Sequence, residues 1–290
     1  MDAKPLLGTF QAPDGHWVGD GFPVRTLFSY DRLGPKISPF LLLDHAGPTN
    51  FPPAEKPRGV GEHPHRGFET VTIVYDGEVD HRDSAGNGGS IGPGDVQWMT
   101  AGSGLMHEEF HSPGFTKRGG KLEMAQLWVN LPARHKMTPP RYQSITAGQI
   151  PLVELPDNAG KLRVIAGNFE ATQGPAQTFT EMNVWDVRLN AGTNVLLPIP
   201  AGHNGVVTVL SGRVIPVGGN ALASGDMALF GTEGQAIRLH AYEPATLLVL
   251  SGAPIEEPIV GYGPFVMNSR QEIISAFDDL QSGRFGILDS

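Results

Sequence analysis

Short apolar runs, each closed by a glycine or proline turn, recur along the whole chain and set the strongest limit on its fold. Pro39-Phe-Leu-Leu-Leu43, Thr70-Val-Thr-Ile-Val-Tyr75, Asp95-Val-Gln-Trp-Met99 and Ala125-Gln-Leu-Trp-Val129 lie in the first half. Val206-Val-Thr-Val-Leu210, Met227-Ala-Leu-Phe230 and Thr246-Leu-Leu-Val-Leu250 lie in the second. Runs of this length, rich in β-branched and aromatic residues, predict strands rather than helices. The 38 glycines and 25 prolines supply turns, and only 18% of residues are charged. Strands so closely spaced predict an all-β barrel or sandwich.

One pattern is stated twice. Gly77-Glu-Val79 is followed by Gly94-Asp95, and Gly212-Arg-Val214 by Gly225-Asp226. Each is a strand, a glycine turn, a second strand, then Gly-Asp leading into a third. Two similar lobes are expected from the 290 residues, 1–135 and 136–290, divided near Pro132 to Pro140 where prolines and charges replace the apolar runs. One helix is predicted to close the second lobe. Ser269 and Glu272 form a capping box, Ile273, Ile274, Phe277 and Leu280 one apolar face, and Gly283 a stop. It reads as a packing helix.

Several classes of function are excluded. A formal charge of −9 argues against direct capture of nucleic acid, which needs clustered Lys and Arg. The absence of cysteine rules out disulfides, thiolate metal sites and cysteine nucleophiles. The opening Met-Asp-Ala-Lys-Pro lacks a secretory pattern, and no apolar run approaches the ~20 residues of a membrane span. A cytoplasmic protein is expected, or one also nuclear in a eukaryotic cell. No glycine-rich dinucleotide or phosphate loop is present, and Ser103 lacks the spacing of a nucleophile elbow.

The chemistry gathers in two short segments. His63-Pro-His65 leads into a strand-like run, where residues i and i+2 share a face less than ~7 Å apart. His107-Glu-Glu109 repeats the spacing with an imidazole and a carboxylate. Two such strands facing each other inside a barrel bring all four groups together. Three imidazoles and a carboxylate suit iron, nickel, copper, manganese or zinc. His45, His81, His111 and His135 lack a paired ligand and read as surface or core-polar residues, with His45 close enough to reach the pocket. Counting from Gly225-Asp226 puts Arg238 and His240 where His107 and Glu109 stand. With only His203 and His240 available, the second lobe reads as metal-free.

His63-Pro-His-Arg-Gly-Phe-Glu-Thr70, Gly94-Asp-Val-Gln-Trp-Met-Thr-Ala-Gly102 and Leu105-Met-His-Glu-Glu109 resemble the signature segments of pirins. So do Pro39-Phe-Leu-Leu-Leu-Asp-His45 and Gly263-Pro-Phe-Val-Met-Asn268. The resemblance implies two tandem cupin barrels (double-stranded β-helix or jelly roll) with a single metal, Fe(II) foremost, in the amino-terminal one. It carries the ligand roles to His63, His65, His107 and Glu109. Glu69, where many other cupins take their carboxylate, stays open as a supporting or structural group. The implied activity is flavonol 2,3-dioxygenation: quercetin binds through its 3-hydroxyl and its ring is cleaved by dioxygen with loss of carbon monoxide. Glu109 would be both ligand and base, with Phe40, Phe51, Met99, Met106 and Phe110 as candidate pocket walls. Two other readings stand beside it. One is a redox-responsive, iron-binding transcriptional co-regulator acting through a protein partner. The other is an oxygenase or isomerase acting on a different enol or phenol.

Overall fold

A computed structural model describes residues 1–11 and 13–288. The chain divides into two compact units, each built from a seven-stranded and a four-stranded antiparallel sheet. In the unit containing Leu42–Ala147, the four-stranded sheet runs Gly59–His65, Leu105–His111, Val79–Asp83, Gly88–Ile91. In its seven-stranded sheet Phe68–Asp76 lies between Val96–Thr100 and the central strand Gly120–Asn130. In the unit containing Gly148–Ile255, the four-stranded sheet runs Thr193–Pro198, Ala236–Ala241, Arg213–Pro216, Leu222–Ala223. The all-β, two-cupin architecture with a carboxy-terminal helix is therefore as expected, and among the described residues no helix is long and apolar enough to cross a membrane.

The repeated glycine pattern is a repeated turn. Gly77, Gly94, Gly212 and Gly225 have φ of 87°, 88°, 81° and 90°, in the left-handed region that glycine enters without a Cβ clash. Gly94 N–H donates to the Val74 carbonyl at 2.8 Å, and Gly225 N–H donates to Leu210's neighbour Val209 at 2.8 Å. Asp95 Oδ2 accepts from Gly92 N–H at 3.0 Å, and Asp226 Oδ2 from Ala223 N–H at 2.8 Å. Each aspartate thus ties the turn in the same way.

The division at residue 135 does not match the structural one. The first strand, Leu6–Gln11, pairs with Asp226–Phe230 and belongs to the unit of Gly148–Ile255, together with Leu27–Leu41. Glu256–Ser290, with the closing helix Arg270–Gln281, belongs to the unit of Leu42–Ala147. The reason is apolar packing: Ile273 and Ala276 are buried with Phe265, Met267 and Phe285, and Met106 packs on the same cluster. Ser269 Oγ accepts from Glu272 N–H at 3.3 Å, as the capping box requires, while the Glu272 carboxylate accepts from Asn268 N–H at 3.0 Å. Ile274 is 52% exposed, because Ile273, Ala276, Phe277 and Leu280 already complete the i, i+3, i+4, i+7 stripe.

The two interiors differ in kind. In the unit of Gly148–Ile255, Val195, Leu197, Val207, Val209, Ile237 and Leu239 join one continuous apolar core. Arg238 and His240, the positions reached by counting, alternate out of that core, and Ile237 and Leu239 take the inward places. His240 Nδ1 bonds Asn194 Oδ1 at 3.0 Å, and His203 lies 3.9 Å from Glu181. In the other unit the apolar cluster of Phe22, Val24, Ala46, Val74, Val79 and Met124 gives way to a band of polar residues.

The carboxy-terminal segment holds the turn that follows His65. Arg66 N–H donates to Pro264 and Val266 N–H donates back to Arg66, at 3.4 and 3.1 Å. The Arg66 guanidinium reaches Asp279 at 2.8 Å. The buried Lys136 ammonium donates to Gly67 O, Val266 O and Asn130 Oδ1 at 2.8, 2.7 and 2.8 Å, its three N–H bonds matching three acceptors. Gly67 itself has φ of 87°, and a Cβ there would run into the Val266 carbonyl oxygen. Gly67→Ala is therefore expected to lower stability by about 2–4 kcal/mol, from backbone strain plus displacement of the Val266 strand. Urea denaturation measures it, and an unchanged midpoint would mean the turn relaxes without cost.

Candidate metal centre

Strand register assembles the site. Leu105–His111 pairs on one edge with Gly59–His65, setting His107 opposite His63 and Leu105 opposite His65. The register shifts between His107 and Glu109, so that Glu109 stands opposite Val60. On the other edge, Val79–Asp83 sets Asp83 opposite His107 and His81 opposite Glu109. Residues opposite one another share a face, and the outcome is a cluster of rings. Centroids of His63 and His107 are 4.1 Å apart, those of His65 and His107 4.8 Å, and those of His63 and His65 4.9 Å.

Each imidazole has one nitrogen engaged. His63 Nδ1–H donates to the Gly61 carbonyl at 2.8 Å and His65 Nδ1–H to the Pro264 carbonyl at 3.4 Å. His107 Nδ1 bonds His81 Nδ1 at 3.4 Å, while its buried Nε2 has no partner. Ligand atoms of His63, His65 and His107 lie within 4.8 Å of one another, and Glu109 forms a second such group with His107 and His81. Burial, with the neighbouring His63, pulls His65 down to about 3, and burial holds His107 well below the usual imidazole range. Both rings are therefore neutral at pH 7, which is the form that binds metal. A buried imidazole nitrogen left without a partner costs free energy that a metal bond would recover, and the donor set fits a divalent first-row ion.

Glu109 is held from the facing sheet. Gln126, Thr72 and Gln97 stand side by side across three adjacent strands, Gln126 opposite Thr72 and Thr72 opposite Gln97. Thr72 and Gln97 donate to Glu109 Oε1 at 3.2 and 3.4 Å, and Gln126 donates to Oε2 at 2.8 Å. The cavity beside His63 and Glu109 is small, about 30 Å³, and is walled by Val18, Phe22, Val24, Val60, Met124 and Asp44. That is room for one water, against the ~300 Å³ at the lower end of ligand pockets.

Residues 21–129 match a family model described as Pirin, and residues 184–286 one described as Pirin C-terminal cupin domain. A Pseudomonas aeruginosa protein provisionally named quercetin 2,3-dioxygenase is 58% identical, over 97% of this chain and 98% of its own. The chain belongs to the pirin family. A crystal structure titled quercetin 2,3-dioxygenase, from Acinetobacter baumannii, aligns with this pirin at a TM-score of 0.96 and 54% identity, over 98% of this chain and 99% of that one. A bacterial pirin from Escherichia coli, solved with nickel(II), shares the fold at a TM-score of 0.64 and 22% identity, over 86% of this chain and 100% of its own.

Other expectations for this pirin change. None of Phe40, Phe51, Met99, Met106 and Phe110 walls the cavity. Phe51 packs in the apolar cluster, Met99 is buried with Ala101 and Leu105, and Met106 packs on the closing helix. Phe40 is a buried residue of the other unit, and Phe110 lines a separate crevice with Asp80 and Arg82. His45 bonds Glu123 at 3.2 Å away from the cavity, and His111 donates to the Gly21 carbonyl at 3.0 Å. His81 is buried as a core-polar residue, but it touches His107 directly. The i, i+2 pair His81-Arg-Asp83 on a strand was the signal for it, the same spacing as His63-Pro-His65.

Glu69 faces away from the cluster. It stands opposite Val129 and Thr100, whereas Thr72, on the alternate face, reaches Glu109. Burial pushes the Glu69 carboxyl up to about 7, against a 2.7 Å hydrogen bond from Thr100 and the attraction of Arg141. An unfolded glutamate titrates near 4.5, so between these values the folded protein keeps a proton that the unfolded chain has released. Stability therefore falls as pH rises through that window, and the loss is complete above it. Glu69→Gln cannot ionise. It is expected to exceed wild type in stability at about pH 8 by on the order of 1–3 kcal/mol, and to differ less at about pH 5. Urea denaturation at both pH values checks this; a difference independent of pH would return Glu69 to its ordinary range.

Proposed function

We propose that this pirin is a metal-dependent dioxygenase acting on a flavonol such as quercetin, with one divalent metal, Fe(II) foremost, bound by His63, His65, His107 and Glu109. The observation that carries the reading is the buried, partnerless Nε2 of His107 within a group of three imidazole donors. The names of the similar Pseudomonas and Acinetobacter proteins support the substrate class.

When bound, the metal supplies Lewis-acid and redox chemistry toward a substrate oxygen and dioxygen. The chain supplies the rest. His63, His65 and His107 present nitrogens whose orientation is set from behind by Gly61, Pro264 and His81. Glu109 is a buried carboxylate beside the cavity, placed to take the proton of a substrate hydroxyl. Gln126, Thr72 and Gln97 fix both of its oxygens, and Val18, Phe22, Val24 and Met124 keep bulk water away. A flavonol enters only if these apolar walls yield. The size of the cavity favours a second reading at the same site, in which the substrate is a smaller enol or phenol.

Metal-loaded protein incubated with quercetin, with and without oxygen, tests the proposal when absorbance loss and metal content are read on one sample. Turnover is expected only with both oxygen and metal. Glu109→Gln should slow turnover per bound metal by about 10²–10⁴-fold, as loss of a general base does. His63→Ala should lose the metal while keeping the fold. Turnover of small enols without turnover of quercetin would shift the substrate to the second reading. Undiminished turnover per metal in Glu109→Gln would remove Glu109 as the base.

A further inference from the structure

We infer that His81 and Asp83 are a positioning pair behind His107, holding it as the Nδ1–H tautomer so that only its Nε2 lone pair faces the site. The inference rests on the metal reading above for its purpose, but its geometry stands on hydrogen bonds within the protein.

A neutral imidazole has two tautomers, and only one of them leaves Nε2 free to bind a metal. Nothing in His107 itself selects between them. The selection comes from the next residue along the chain of contacts. His107 Nδ1 and His81 Nδ1 are 3.4 Å apart, and one of the two must donate. His81 Nε2 lies 3.3 Å from Asp83 Oδ2, and a carboxylate can only accept. With a single ring proton, His81 carries it on Nε2 toward Asp83, its Nδ1 is the acceptor, and the His107 proton is on Nδ1. All three side chains are buried, so water does not compete for these bonds.

The pair is itself held firmly. Asp83 Oδ1 accepts from the N–H groups of Ala85 and Asn87, both at 3.0 Å, and from Asn87 Nδ2 at 3.1 Å. The His81 ring stacks on Tyr142, centroids 5.2 Å apart with planes 13° from parallel, which resists rotation of the imidazole. Tyr142 O–H donates to Gln97 Oε1 at 3.2 Å, and Gln97 donates to Glu109. One buried network thus orients both His107 and Glu109. Carboxylates that orient metal-binding histidines commonly act directly; here a second histidine stands between.

The test reads the tautomer first. In metal-stripped, full-length protein, two-bond ¹H–¹⁵N correlation should show His107 protonated at Nδ1. His81→Phe keeps an aromatic ring against Tyr142 but removes the acceptor, and His107 should then populate the Nε2–H tautomer. His81→Gln offers an amide oxygen in place of the imidazole nitrogen and should restore the Nδ1–H signal. Zn(II) titration should follow the same order, with His81→Phe weaker by about 10–100-fold and His81→Gln recovering most of the loss, at similar apoprotein melting temperatures. An unchanged His107 tautomer in His81→Phe, with unchanged Zn(II) affinity, would overturn the inference. If wild type and His81→Phe bind equally while His63→Ala does not, the metal reading stands and the positioning pair falls. If wild type binds no Zn(II), the metal reading fails, and the tautomer spectra still decide the role of His81. Loss of Zn(II) in His81→Phe but not in His63→Ala would mean His81 is a ligand in the group with His107 and Glu109, which overturns both.

Discussion

A polar group buried inside a β-barrel must find a partner or cost free energy that apolar packing would have returned. That constraint organises the polar cluster around His107 and Glu109. Thr72, Gln97 and Gln126 form a row on one sheet, and Glu109 faces them from the other with both oxygens satisfied. His81 is satisfied by Asp83 and His107. His107 Nε2 is left over. This nitrogen, set among the clustered imidazoles of His63 and His65, is the observation on which the proposed metal site rests.

The unit of Gly148–Ile255 shows what the same scaffold does without that requirement. Its strands, glycine turns and Gly-Asp connections repeat those of the other unit, with the Gly94 and Gly225 N–H groups and the Asp95 and Asp226 carboxylates bonded alike. Its core is one continuous apolar cluster in which valine, leucine and isoleucine predominate. Such an interior gains from burial and needs no hydrogen-bond matching. One unit therefore has a core that only packs, while the other gives up part of that packing to a polar centre and is closed by additional contacts. The Lys136 ammonium, the Arg66–Asp279 pair and the strand Phe265–Met267 all converge on the turn after His65. These contacts restrain the segment that carries two of the three clustered histidines.

Two of the three clustered imidazoles are held neutral by burial. Because burial keeps His65 and His107 deprotonated across the physiological range, no proton has to leave those rings before a metal binds. Glu109 is positioned by three neutral donors, Thr72, Gln97 and Gln126. The cavity beside it, about 30 Å³, is walled largely by apolar side chains, Phe22 and Met124 among them.

The β-rich runs, the twice-stated Gly-Asp turn, the cap at Ser269 and the His-x-His and His-x-Glu pairs were all legible in the sequence, because each is a property of residues a few positions apart. Periodicity on a strand is also what exposes His63, His65 and His107 as one face. The tertiary structure decided what depends on distant pairing. Leu6–Gln11 joins Asp226–Phe230, and the closing helix joins the earlier unit, because edge strands and apolar faces seek partners that no local pattern names. Glu69 left the site because the turn at Gly67 resets strand parity after His65. His81 entered the network, and Val18, Phe22 and Val24 became the wall of the cavity, through the register between strands. Local spacing picked out the clustered histidines and Glu109; long-range strand register decided what stands behind and around them.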